Sequence, residues 1–102
     1  MLTEEHASFV EIGEVAFEDT IVGEKITSST NAEQMSTNDS EIRCVIVQAK
    51  NTNNAVIKIG NSSNQTFELS PGESLFIRIN SLSSLYVKAS NSGDGVNFIA
   101  LM

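Results

Sequence analysis

The chain has 102 residues, 13 acids against six Lys and Arg for a formal net charge of −7, 40% hydrophobic residues and a single cysteine. Such a length holds one domain with one small core, its apolar content excludes wholesale disorder, and the lone Cys44 excludes an internal disulfide. No apolar run approaches the ~18 residues of a membrane span, and a net-acidic chain with singly scattered bases repels phosphate backbones, so neither membrane nor nucleic acid is an expected partner.

Residues 1–41 hold ten acids against Lys25, a balance of −9, whereas residues 42–102 hold three acids against five bases, a balance of +2. The division expected from this is an acidic N-terminal arm or edge segment over 1–23 and a β-sandwich domain over 24–102. The opening residues, Met1 to His6, lack the basic and apolar regions of a signal peptide, so the expected setting is a reducing cytoplasm. The tripeptides at Asn38, Asn61 and Asn64 match glycosylation acceptors and are expected to be unmodified there.

Along 1–23 the apolar positions Phe9, Val10, Ile12, Val15 and Phe17 run near period two with a slip at Gly13-Glu14; helical spacing is partly met, and the pattern leans to strand. Phe9, Ile12, Val15 and Phe17 are therefore candidate partner-contacting residues. The Ser, Thr and Asn clusters of 28–40 read as loop, with Glu33–Met35 as a short edge strand between them. Ile42–Ala49 is apolar on both faces through its middle, as a central strand covered on each side would be. Ala55–Gly60 follows with Ile57 and Ile59 on one face. Thr66–Leu69, Ser74–Ile79, Leu85–Ser90 and Val96–Leu101 complete a series of short strands with turns 8–12 residues apart. That spacing predicts an all-β fold, a small antiparallel β-sandwich of jelly-roll-like or Ig-like kind.

Two turns carry geometry. In Ser70-Pro71-Gly72-Glu73 proline presets φ at the second position and glycine accepts φ > 0 at the third, the requirement of a type II turn. Such turns match strand twist poorly in tight hairpins, so a corner between sheets is expected. In Asn91–Gly95 two glycines predict a hairpin joining Leu85–Ser90 to Val96–Leu101 as antiparallel neighbours.

Chemistry is sparse. The single histidine, His6, lies in the weakly patterned N-terminal stretch, where no Ser-His-Asp geometry is expected. Cys44, flanked by Val45 and Ile46, reads as a small core hydrophobe. Zinc needs more Cys and His than the two present, and one carboxylate among Asn91, Asp94 and Asn97 is too little for calcium. No catalytic residue, metal or cofactor is expected, and the chain is not read as an enzyme. Phe76 and Tyr86 are the remaining candidate partner-contacting residues, either as an exposed aromatic patch or packed against the N-terminal segment. A 61-residue β unit buries about 60% of its unfolded surface, and its strands are apolar on both sides: Leu75, Ile77 and Ile79 oppose Phe76, and Val96, Phe98 and Ala100 oppose Ile99 and Leu101. A homo-oligomer is expected to supply the missing cover, a trimer first and a dimer next.

The run Val45–Ala49, Asn51–Asn53, Val56–Gly60, Leu69-Ser-Pro71-Gly72-Glu73-Ser74, Leu82–Val87 and Gly95–Phe98 resembles small virion proteins of tailed bacteriophages. Ile26-Thr27 and Glu33–Ser36 fit as the strands leading into that module, and the resemblance covers about three quarters of the chain. It implies a β-sandwich on the capsid or at a head–tail junction, with no catalytic residues. The function it implies first is a capsid decoration, or cement, protein that oligomerises and bridges subunits of the major capsid protein. In that case the acidic segment 1–23 would order on the shell and salt would weaken attachment. A head–tail connector or tail accessory protein and a host- or glycan-binding fibre module are the alternatives. Localisation would be the virion, after synthesis in the bacterial cytoplasm.

Overall fold

Between Cys44 and Leu101 most strands alternate in burial, and the alternation decides the architecture. Val45, Val47 and Ala49 on one strand and Val96, Phe98 and Ala100 on another turn to the same interior, as period-two side-chain geometry requires. The computed structural model describes residues 19–102. In chain order the strands are β1 (Thr20–Ile26), β2 (Glu33–Gln34), β3 (Cys44–Ala49), β4 (Ile57–Gly60), β5 (Gln65–Leu69), β6 (Ser74–Ile77), β7 (Tyr86–Ala89) and β8 (Gly95–Leu101). Residues 20–23 of the acidic stretch thus belong to β1.

Two antiparallel four-stranded sheets form, sheet A in the order β1-β8-β3-β6 and sheet B in the order β2-β7-β4-β5. Of the chain-consecutive strands only β4 and β5 are hydrogen-bonded neighbours; every other connection passes from one sheet to the other. This is the jelly-roll order, which decides between the two sandwich types expected. β2 is the short edge strand expected near Glu33, and it pairs with β7 through Glu33↔Val87 and Gln34↔Tyr86.

The core lies between the sheets. Val45, Val47, Ala49, Val96, Phe98 and Ala100 from sheet A meet Ile57, Ile59, Val87 and Ala89 from sheet B, and Leu82 and Leu85 are also buried with them. Leu82 opens a 3₁₀ turn, Leu82–Ser84, capped by the Ser81 side chain accepting from the Ser83 N–H.

The Pro71-Gly72 turn is a corner between sheets, as expected. Gly72 has φ +90°, and the Glu73 N–H donates to the Ser70 carbonyl at 2.9 Å. The turn carries the chain from β5 in sheet B to β6 in sheet A. Two further bonds, Gly72 N–H to the Ala49 carbonyl and Ala49 N–H to the Glu73 carbonyl, both 2.9 Å, tie the corner to the end of β3.

The expected hairpin at Asn91–Gly95 does not form. β7 lies in sheet B and β8 in sheet A, where β8 pairs with β1 and β3. The loop's hydrogen-bonding groups are taken by other segments: the Gly93 N–H donates to the Thr27 carbonyl, the Thr27 N–H to the Asp94 carbonyl, and the Gly95 N–H to Asn53 Oδ1. β3 is interior to its sheet as expected, but only its inward face is fully buried. Cys44, Ile46 and Gln48 on the other face are half-buried, so Cys44 stands on the outer surface and not in the core.

Candidate functional site

Three groupings of side chains stand out among the described residues, and their surroundings separate scaffold from surface. The first is a buried polar latch at one end of the sandwich. Asp94 is 2% exposed and its carboxylate accepts from the N–H groups of Asn54 (3.0 and 3.1 Å) and Ala55 (3.3 Å). Asn53 accepts the Gly95 N–H at 2.8 Å and donates to the Gly95 carbonyl at 2.9 Å. The buried Thr27 hydroxyl donates to the Asp94 carbonyl at 2.8 Å. The network joins the end of β1, the β3–β4 loop and the β7–β8 loop. Its members spend their bonding capacity on backbone, which is what buried polar groups in a scaffold do.

The second grouping surrounds Glu33. Its carboxylate accepts from the Ser29 hydroxyl at 2.7 Å, the Ser28 N–H at 3.1 Å and the Ser28 hydroxyl at 3.2 Å, and pairs with Lys25 Nζ at 3.2 Å. The Ser29 bond first, then the Ser28 N–H and Lys25, hold its pKa down to about 2 against the opposing effect of burial. A carboxylate so stabilised is a feeble proton acceptor near neutrality; it clamps the loop after β1 to the edge strand β2.

The third is a surface. Across the outer face of sheet A the register aligns Val22 of β1 with Ile99 of β8, Ile99 with Ile46 of β3, and Ile46 with Phe76 of β6. Four apolar side chains therefore stand in one row across four strands, a strip about 15 Å long at the usual interstrand spacing. Its ends are open, with Val22 61% and Phe76 51% exposed. The next row, Glu24, Asn97, Gln48 and Ser74, is polar. Between the two rows lies a shallow depression of about 420 Å³. Gly23 borders it, and a Cβ there would meet the Phe98 ring at 2.8 Å. Among the described residues no group of three or more His, Cys, Asp and Glu side chains has the arrangement of a metal site. The hydroxyls that meet a carboxylate in these groupings, Ser28 and Ser29, meet Glu33, whose lowered pKa makes it a feeble base.

Of the residues singled out from sequence, Phe76 sits in this row. Tyr86 is half-buried on the outer face of β7 in sheet B, so the two aromatics occupy different sheets and form no joint patch. Phe9, Ile12, Val15, Phe17 and His6 lie outside the described residues. Sequence reading missed Val22, Ile46 and Ile99, whose alignment is a matter of register between strands distant in sequence. It also missed Phe67, 65% exposed on the edge strand β5 although it shares a face with Ile59 and Leu69. Comparison with protein-family models, curated proteins and solved structures finds no match to this chain.

Proposed function

We propose that the chain is a structural protein of a tailed-bacteriophage particle, a capsid-decorating module that seats the outer face of sheet A on the major capsid protein. The observation that carries this reading is the row Val22–Ile99–Ile46–Phe76. A flat apolar strip on a sheet is suited to another protein surface, whereas small-molecule sites are concave and converge polar groups on one point. An aliphatic or aromatic side chain gains about 1.5–3 kcal/mol on going from full exposure to full burial. The half-exposed members of the row gain a part of that each, so several such anchors together can seat a module repeated many times on a shell. The likeness of 42–102 to small virion proteins supports the same reading. The jelly roll is shared by viral capsid and lectin domains, and on its own is only an analogy.

The lectin analogy has one observation in its favour: the uncharged polar side chains of Asn97, Gln48 and Ser74 flank the apolar row, which is a composition that sugars also use. A glycan-binding fibre module is therefore the second reading, and a head–tail or tail accessory protein differs from the first only in position. The test is binding of the purified chain to undecorated capsids, with Val22→Asp and Phe76→Asp as comparison. Decoration in hundreds of copies per particle, lost in both variants, is the expected result. Six or twelve copies at one vertex would move the protein to the neck, and binding to cell envelopes without capsids would favour the fibre.

A further inference from the structure

On the outer face of sheet B, Lys58 of β4 and Lys88 of β7 stand directly opposite each other in the register. Like charges so placed repel and weaken the sheet. Their relief within the described residues is slight: Lys58 reaches Glu68 at 4.0 Å, with both side chains about half exposed, and Lys88 is exposed with no acidic partner. Tyr86, two residues before Lys88 on the same face, is half-buried and stands between Gly60 of β4 and Gln34 of β2. Two ammonium groups beside a phenol make a recognition surface for carboxylates, and among the described residues only Glu68, 4.0 Å from Lys58, supplies one.

The complementary patch is on the same molecule but elsewhere. Asp39 and Glu41 are exposed in the segment between β2 and β3 and make no ion pair among the described residues. Of the other described acids, Glu24 pairs with Lys50 at 2.7 Å, Glu33 with Lys25 and Glu68 with Lys58 at 4.0 Å, Glu73 accepts from the Ser70 N–H at 2.8 Å and Asp94 is in the latch. Asp19, before β1, is exposed but stands singly, whereas Asp39 and Glu41 offer two carboxylates in one segment. We infer that the Lys58/Lys88/Tyr86 surface of one copy receives the Asp39–Glu41 segment of a second copy. A copy that offers one patch to a neighbour keeps the other free for the next, and such a head-to-tail contact gives a ring where its rotation closes and an open filament where it does not. Nucleic acid is a poor occupant, since two lysines on a chain of net charge −7 do not overcome the repulsion of a phosphate backbone. A second copy, by contrast, is always present at the protein's own concentration. The inference stands apart from the shell-binding reading, which uses sheet A.

The test is analytical ultracentrifugation of the full chain and of two charge-reversal variants, Lys58→Glu/Lys88→Glu and Asp39→Lys/Glu41→Lys, with circular dichroism to show that each is folded. At low salt the wild type should sediment at a multiple of its 11.0 kDa and fall towards one copy as salt is raised. Each variant alone should be a single copy, and an equimolar mixture of the two should recover at least twice that mass. Lys58→Gln/Lys88→Gln should weaken association less than the reversal does. A wild type that stays at one copy in low salt, variants that associate as before, or a mixture that fails to recover would each overturn the inference, while capsid binding through sheet A would be unaffected.

Discussion

The side chain of Asn53 completes a closed pair of hydrogen bonds with the backbone of Gly95, accepting from its N–H at 2.8 Å and donating to its carbonyl at 2.9 Å. In this way a loop residue acts as one more strand position at the start of β8. The Gly95 carbonyl has a second donor in the Lys50 N–H at 3.0 Å, but the Gly95 N–H has only Asn53.

That asymmetry sets the first prediction. Asn53→Ala orphans a buried N–H and removes two bonds, so a loss of about 2–3 kcal/mol is expected. Asn53→Asp still accepts from the Gly95 N–H but sets a carboxylate oxygen against the Gly95 carbonyl, and should be destabilised too. Urea denaturation at constant slope reads both. A loss under about 0.5 kcal/mol in Asn53→Ala would mean that water replaces the amide and the latch is not structural.

Two glycines should respond differently to alanine. At Gly60, beside the bulge where β4 meets β5, a Cβ would land on the Asn64 backbone carbonyl, so the hairpin must move and a cost of about 1–3 kcal/mol follows. At Gly93 there is open space, but φ is +98°, and a left-handed residue costs about 1–2 kcal/mol. The local readouts separate them: hydrogen exchange should rise in β4 and β5 for Gly60→Ala, and near Asn91–Gly95 for Gly93→Ala. Protection changes in the opposite regions would contradict the placement of both turns.

The pH dependence follows from Glu33. Its folded pKa, about 2, lies below the ordinary 4.5, so the folded state favours the ionised form and gains stability that is complete above about pH 4.5. As pH falls from there towards 2 the unfolded chain binds the proton first, and this contribution disappears. Glu33→Gln should remove that acid-limb loss while lowering stability at neutral pH, because the amide keeps some hydrogen bonds but loses the pairing with Lys25. Denaturant midpoints measured from pH 7 down to 2.5 test it. Parallel curves for wild type and Glu33→Gln would show that Glu33 is not a stabilising carboxylate.

How far these residues could be read in the chain depends on how local their causes are. Pro71-Gly72 declares its turn through the φ demands of two adjacent residues, and the sheet-to-sheet corner follows. Val45, Val47 and Ala49 declare their common face through period two. The partner of β8 is different. Gly93-Asp94-Gly95 has hairpin composition, yet the bonds that decide its path come from Thr27 and Asn53, 67 and 42 residues away along the chain. The row on sheet A is hidden for the same reason. Val22, Ile46, Phe76 and Ile99 are each ordinary strand residues, and only the registers of three strand pairs bring them into line. Phe76 was visible as the apolar residue out of phase with Leu75 and Ile77, which is the one local signal the row leaves.

The sheet A row yields the last prediction, and it separates binding from stability. Val22 and Phe76 lie at the open ends of the row and contribute little to the core, so Val22→Ser and Phe76→Ser should each change stability by less than about 1 kcal/mol, as surface substitutions do. Ile46, half-buried at the centre between Ile99 and Phe76, should cost more as Ile46→Ser, about 1–3 kcal/mol. If the row is the seat on another protein, the order for binding is different: the Phe76 variant should lose the most affinity, since exposed aromatic anchors dominate protein interfaces, with Val22 next. Thermal melts and capsid-binding isotherms on the same preparations give the two orders side by side. Should Phe76→Ser bind capsids as tightly as wild type while keeping its fold, the row is no docking surface and the seat must be sought elsewhere on the sandwich.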